Sequence, residues 1–198
     1  MNDTYDPTAG FAQQVEAMTL ARAQHGDMQA FAQLYRCFGR ACFQLALRIL
    51  GQRQQAEDLV QEVFLKMMDT IRSYRGDAPF GAWLKRMTVN ASIDQLRRHR
   101  HGSDEDAEAV FARTANGEVE PANLVDVWSL LARLPPRARA VLVLHEFEGY
   151  THTELAELFG QSESYSKSIL ARALGRLNAL VAPTAPPPQE ARVWSSRN

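Results

Sequence analysis

The clearest run of apolar and polar positions lies between Phe80 and Arg100, FGAWLKRMTVNASIDQLRRHR. Apolar residues recur there at helical spacing, and no Pro or Gly interrupts the run after Gly81. At about 100° per residue, Phe80, Leu84, Met87 and Ala91 share one side, and Ala82, Val89, Ile93 and Leu96 nearly the opposite one. Two polar strips separate them: Arg86, Asn90, Asp94 and Arg97, and Thr88, Ser92, Gln95 and His99. Two apolar faces predict a helix wedged between neighbours, with its polar strips reaching out of the gaps.

The pattern before this run predicts three further helices. An amphipathic helix is expected over 11–24, stopped at His25-Gly26. Asp27 is a natural N-cap for the next, which reads through Phe31, Leu34, Phe38, Leu45 and Ile49 to Gly51, with Gly39 marking a bend. The third, over about 53–73, buries Leu59, Val60, Val63, Phe64, Met67 and Ile71. Its other face carries Asp58, Gln61, Glu62 and Asp69 with Leu65 among them. One exposed Leu has no meaning by itself. Framed by acids, it has the form of an apolar anchor inside a polar rim, as at a protein–protein hot spot.

After Arg100 the periodicity fades. Residues 101–121 are acidic, contain Gly and end at Pro121, the character of a linker between two domains, 11–100 and 122–182. Residues 1–10 and the Pro-rich tail 183–198 are expected to lie outside both folds. In the second domain a helix is expected over about 122–133. Leu134-Pro135-Pro136 then opens another, carrying Val141, Leu142, Leu144 and Phe147 to Gly149. Thr151-His152-Thr153-Glu154 has capping-box spacing before Leu155, Ala156, Leu158 and Phe159. Gly160-Gln161 makes a turn and Ser162 caps a last helix, so the pattern reads as a helix-turn-helix. Ser166, Ile169, Leu170, Ala173, Leu177 and Leu180 form the inner arc of that helix. Ser164, Tyr165, Lys167, Ser168, Ala171 and Arg172 stand outside near its start, where recognition helices approach a major groove. The expected fold is all-α: two small helical domains joined by an acidic flexible linker, the C-terminal one a helix-turn-helix.

Charge sharpens this picture. The formal net charge of the 198 residues is −1. Yet Leu84–His101 holds five Lys/Arg against one acid, and Gly102–Asp126 holds seven acids against one Arg. A nucleic-acid binder needs basic contact surfaces rather than a basic total. Arg and Asn with Asp on one helix can meet both phosphates and base edges. Cys37 and Cys42, five apart on one helix, project in different directions and lack the company of a metal site, so both are expected to be reduced thiols of a cytoplasmic protein. The polar, acidic start is unlike a secretory signal, and no apolar run is long enough for membrane insertion. No metal or cofactor is expected.

Three blocks resemble the bacterial RNA polymerase sigma factors of the extracytoplasmic-function (ECF) type: AEDLVQEVFLKMM at 56–68, FGAWLKRMTVNASIDQLRRHR at 80–100, and LPPRARAVLVLHEFEGYTHTELAELFG from 134. The resemblance implies binding to core polymerase through the β′ clamp helices and the β flap, recognition of promoter DNA, and an anti-sigma protein as a further partner. Asp58, Gln61, Glu62 and Leu65 match the polymerase-docking block. Arg86, Asn90, Asp94, Arg97, Arg98 and Arg100 fall on the helix that reads the −10 element. Arg75, in the loop to Pro79, falls where a flipped base is captured. The last helix matches the −35 reader, with Ser164, Tyr165, Lys167, Ser168 and Arg172 outward. Where relatives carry Gly-Thr-Val-Lys-Ser-Arg, this chain has Ser164-Tyr165-Ser166-Lys167-Ser168-Ile169; the resemblance thus implies a lost phosphate-anchoring cation at Ile169. Tyr74 is the stacking candidate, with Phe80 and Trp83 read as core.

Other classes fit less well. A stand-alone helix-turn-helix regulator usually needs a dimer interface, which no segment supplies. A helical adaptor does not account for the split of acidic and basic faces. An enzyme would need a phosphate-binding Gly loop, a nucleophile elbow or a metal-ligand cluster.

Overall fold

Asp27 opens a helix of 23 residues: its carboxylate accepts from the amides of Gln29 and Ala30, at 2.8 and 3.2 Å. Arg22, donating to the same side chain, holds this carboxyl below its ordinary pKa. The computed structural model describes residues 10–98 and 127–181. Among these, α1 spans Ala17–Gln24, α2 Met28–Leu50, α3 Arg53–Thr70 and α4 Phe80–Arg98. They are followed by α5 at Val127–Ala132, α6 at Pro136–Leu142, α7 at His152–Phe159 and α8 at Glu163–Val181. The all-α reading holds across them. α2 ends at Gly51, whose φ of 74° places it in the left-handed cap region that glycine adopts freely.

α2, α3 and α4 pack on one another around Leu34, Phe38, Leu45, Leu59, Met67, Leu84 and Ile93, all buried. The arc predicted for α3 is buried throughout, and a short 3₁₀ turn at Ile71–Ser73 completes its length. The first helix is shorter than expected. A 3₁₀ turn occupies Gly10–Ala12, 13–16 are not helical, and only Ala17–Gln24 forms α1. The 3₁₀ turn packs on α2 and α4, and Gly81 admits its close approach: a Cβ there would lie 2.0 Å from the Phe11 carbonyl oxygen. Gly39 marks no break in α2. An added Cβ would stand 3.4 Å from the Tyr35 ring, so the residue leaves room for that ring.

α4 departs from its predicted faces at three points. Ala82 is exposed. Thr88 and Ser92, expected at a polar strip, are buried. Their hydroxyls donate to the Leu84 and Thr88 carbonyl oxygens one turn back, at 2.9 and 2.8 Å, so they need no solvent. His99 lies outside the described residues.

In the second set of helices Pro136 is the first residue of α6, as expected. α6 passes directly into a π-helical turn at Val143–Phe147. Phe147 is exposed rather than core, its ring centroid 5.5 Å from that of Trp128. Thr151 and Glu154 form the predicted capping box of α7, and Gly160 closes it at φ 62°. The Ser162 hydroxyl accepts from the Tyr165 amide at 3.1 Å and starts α8. Ile169 is wholly buried under α8. That burial agrees with its place on the predicted inner arc. Leu177 and Leu180 are only half-buried. The linker expected over 101–121, and residues 122–126, lie outside the described residues.

The two sets of helices touch. α6 packs on α2 and α4, and α7 reaches α4. No helix among the described residues is long and apolar enough to cross a membrane.

Candidate nucleic-acid and partner interfaces

Burial of Val63, Phe64 and Met67 fixes the rotation of α3, so its opposite face turns outward. Asp58, Gln61 and Glu62 are exposed there, and Leu65 is 64% exposed between them. Gln54 donates to Asp58 at 3.3 Å. Glu62 meets Arg98 of α4 at 3.5 Å, so this face runs continuously into the basic end of the next helix.

On α4 the first polar strip stands outside as predicted: Arg86, Asn90, Asp94 and Arg97 are all exposed, and Arg98 follows them. Arg97 pairs with Asp94 at 3.7 Å and also donates to the Leu158 carbonyl oxygen at the end of α7. Arg75 is exposed in the loop before α4. Arg100 lies outside the described residues. Tyr74 departs from the expectation of a ring free to stack. It is half-buried, its hydroxyl donates to the Ala78 carbonyl oxygen at 2.7 Å, and its ring packs on Phe80 and Trp83 at 5.3 and 5.6 Å between centroids. Phe80 is buried and Trp83 half-buried, in keeping with core roles.

The start of α8 presents Ser164 and Lys167, both exposed, with Ser168 and Arg172 half-buried beside them. Lys167 pairs with Glu163 at 3.3 Å one turn earlier. Thr153, donating to Glu163 at 2.7 Å, together with Lys167 holds that carboxyl below its ordinary pKa. Tyr165 is half-buried, and its hydroxyl accepts from Arg137 at 3.3 Å. Arg137 is a residue the sequence pattern did not single out. Its contact joins residues 28 positions apart, beyond any local periodicity. His152 approaches the Ser166 hydroxyl at 2.9 Å and stacks on His145 at 4.4 Å between centroids. Partial burial first, then His145 and Lys167, hold His152 below its ordinary pKa.

The capping box gives a pH prediction. The Thr151 amide and hydroxyl both donate to Glu154 at 2.8 Å and hold its carboxyl below the ordinary 4.5. A lowered carboxylate stabilises the fold above the unfolded pKa, and that contribution is lost as pH falls through the folded one. Thr151→Ala is expected to lower the melting temperature at pH 7 and to flatten the loss of stability between pH 5 and 3. Thermal melts across that range check both.

Cys42 is buried, and burial pushes its thiol up to about 12, the state of an inert thiol. Cys37 is half-buried, and neither cysteine is in a disulfide. No group of three or more metal-binding side chains forms among the described residues.

The Sigma-70 region 2 model matches residues 34–102, and the Sigma-70 region 4 model residues 124–177. The chain is 36% identical over 183 residues to the ECF RNA polymerase sigma factor SigM of Mycobacterium tuberculosis, covering 89% of this chain and 91% of that one. It is 30% identical over 158 residues to the RNA polymerase sigma-H factor of Pseudomonas aeruginosa, covering 73% and 82%. A solved structure of CnrH in complex with the cytosolic domain of CnrY aligns with a TM-score of 0.47 at 29% identity, over 82% of this chain and 94% of that one.

Proposed function

Because this chain belongs to the extracytoplasmic-function sigma factors of RNA polymerase, we propose that its exposed surfaces divide the work of initiation among three helices. The protein binds core polymerase, recognises promoter −10 and −35 elements and directs transcription initiation. Its role is that of a specificity subunit rather than an enzyme, and its place of work is the cytoplasm. The units are 11–100 for polymerase and −10 binding and 122–182 for −35 binding. Asp58, Gln61, Glu62 and Leu65 of α3 dock on the β′ clamp helices. Arg86, Asn90, Asp94, Arg97, Arg98 and Arg100 read the −10 element, with Arg75 near the base-capture loop. Ser164, Lys167, Ser168 and Arg172 read the −35 element. Tyr165 stands beside them, its hydroxyl accepting from Arg137 with its own O–H left to donate.

The observation that carries this reading is the exposed strip of Arg86, Asn90, Asp94 and Arg97 on a helix whose inner face, from Phe80 through Leu84, Thr88 and Ala91 to Leu96, is buried. A polar strip held rigid by a packed helix presents hydrogen-bonding groups at fixed spacing, as base and phosphate contacts require.

Magnitudes explain why a polymerase is needed. Opening about ten base-pair steps costs on the order of 14 kcal/mol at about 1.4 kcal/mol per step. Holding one or two extruded bases returns about 1–3 kcal/mol each. The rest must come from the large partner, so this chain selects the site and the polymerase supplies most of the opening.

Asn90→Ala and Asp94→Ala test the strip. Each is expected to lower promoter-specific initiation by about 5- to 150-fold, the equivalent of one lost base contact of 1–3 kcal/mol, while core affinity stays at the wild-type value. Initiation assays alongside core-binding titrations measure this. Unchanged initiation by both variants would remove α4 from −10 recognition.

A further inference from the structure

Tyr165 is anchored at both ends. Its amide donates to the Ser162 hydroxyl at 3.1 Å, which fixes the backbone in the first turn of α8. Its own hydroxyl accepts from the Arg137 guanidinium at 3.3 Å, which fixes the far edge of the ring. Between these anchors the ring is half-buried and packs against the core. Ser168 and Arg172 follow on the same flank of α8 and are half-buried too.

Arg137 is placed as firmly. It follows Pro136 in α6, and burial of Ala138 and Val141 fixes the rotation of that helix, which packs on α8. A guanidinium carries N–H donors and no acceptor, so the phenolic oxygen is the acceptor in this pair. With its acceptor side taken, the Tyr165 hydroxyl has its proton to offer outward.

That matters at the start of a recognition helix, whose N-terminal residues meet base edges in the major groove. Guanine shows N7 and O6 there, adenine N7 and thymine O4, all acceptors, whereas cytosine shows the N4 amino donor. A hydroxyl free on both sides can turn to suit either kind. One whose oxygen is occupied bonds the first three bases and meets cytosine donor against donor.

We infer that Arg137 is a positioning residue for −35 recognition: by occupying the Tyr165 oxygen it makes that side chain a donor-only contact, which rejects cytosine at one position of the element. The inference rests on the assignment of α8 to the −35 element. Arg137 lies on the helix before the helix-turn-helix, so the base preference of α8 is set in part from outside the motif.

The test uses the full chain bound to core polymerase, on promoter templates randomised through the −35 element and constant elsewhere. Sequencing the templates that initiate gives a base preference at each position. The wild type is expected to disfavour cytosine at one position by at least about 5-fold, the lower end for a base contact. Tyr165→Phe keeps the ring and removes the oxygen, and is expected to level the preference at that position alone. Arg137→Ala is expected to readmit cytosine there, because the freed oxygen can accept from N4. Arg137→Lys still presents a donor to the oxygen and is expected to keep cytosine disfavoured. Arg137→Ala combined with Tyr165→Phe should match Tyr165→Phe alone at that position, as for two residues acting through one contact. A loss of fold would lower every template alike and could not produce a change at one position.

A wild type that tolerates cytosine throughout an otherwise selective element would overturn the inference, as would a Tyr165→Phe profile identical to the wild type's. So would an Arg137→Ala variant that lowers all templates equally, the mark of a phosphate or packing residue. A flat −35 profile in the wild type would instead remove α8 as the −35 reader, and the inference with it.

Discussion

Leu65→Asp is expected to lower affinity for core polymerase by more than about 30-fold and to abolish promoter-specific initiation, while the fold melts as the wild type does. The side chain is 64% exposed, so its removal empties no core, and surface changes of this kind stay within about 0.5 kcal/mol. An apolar anchor at the centre of a docking face contributes about 2 kcal/mol or more, hence the 30-fold figure. Aspartate does more than delete that anchor. It adds a fourth charge beside Asp58, Glu62 and Asp69, and on binding that charge must lose water without a partner. Titration of labelled core with each form, alongside a thermal melt, gives both halves of the result. Wild-type core affinity in the variant would move the docking surface away from α3.

Phe38→Ala is expected to cost about 3–5 kcal/mol, the largest loss of stability from any single truncation discussed. The total for a domain is about 5–15 kcal/mol, so most of the margin goes with it. Phe38 is fully buried at the point where α2 meets α4. Its ring lies 5.7 Å from that of Phe80, and a Cβ on Gly81 would stand 3.1 Å from its edge. It therefore supports the start of the helix whose strip we assign to the −10 element. At about 4–8 °C per kcal/mol for a unit of this size, the melting temperature should fall by more than about 10 °C. Tyr35→Ala, one turn earlier on the same helix, removes a ring that is 52% exposed and meets Phe64 edge-on, and should cost much less. Calorimetry on the two variants measures the difference. Equal losses would mean that burial on α2 is not what orders them.

What the sequence made legible was local. Asp27, the Thr151–Glu154 capping box and the Gly160–Ser162 turn each satisfy backbone groups within a few residues, so their patterns appear as short motifs. The inner arc of α3 and the outer strip of α4 followed from helical spacing alone. Misreadings arose where a distant or hidden partner decided. The segment before α1 seats Phe11 against Gly81, some seventy residues on, and no local pattern carries that contact. Thr88 and Ser92 look polar by composition but bond within their own helix and become core. The packing of α6 on α2 was invisible for the same reason as Gly81: Arg139 meets carbonyls 89 and 90 positions earlier, and neither side advertises the other.

The central claim is that this chain directs polymerase to promoters. Run-off transcription from a pooled genomic library, with core polymerase and with or without the protein, tests it most directly. The account predicts discrete new start sites that depend on the protein, share elements near −10 and −35, and vanish with Leu65→Asp. No new start on any template, together with tight duplex binding by the protein alone, would contradict it and identify a stand-alone helix-turn-helix regulator.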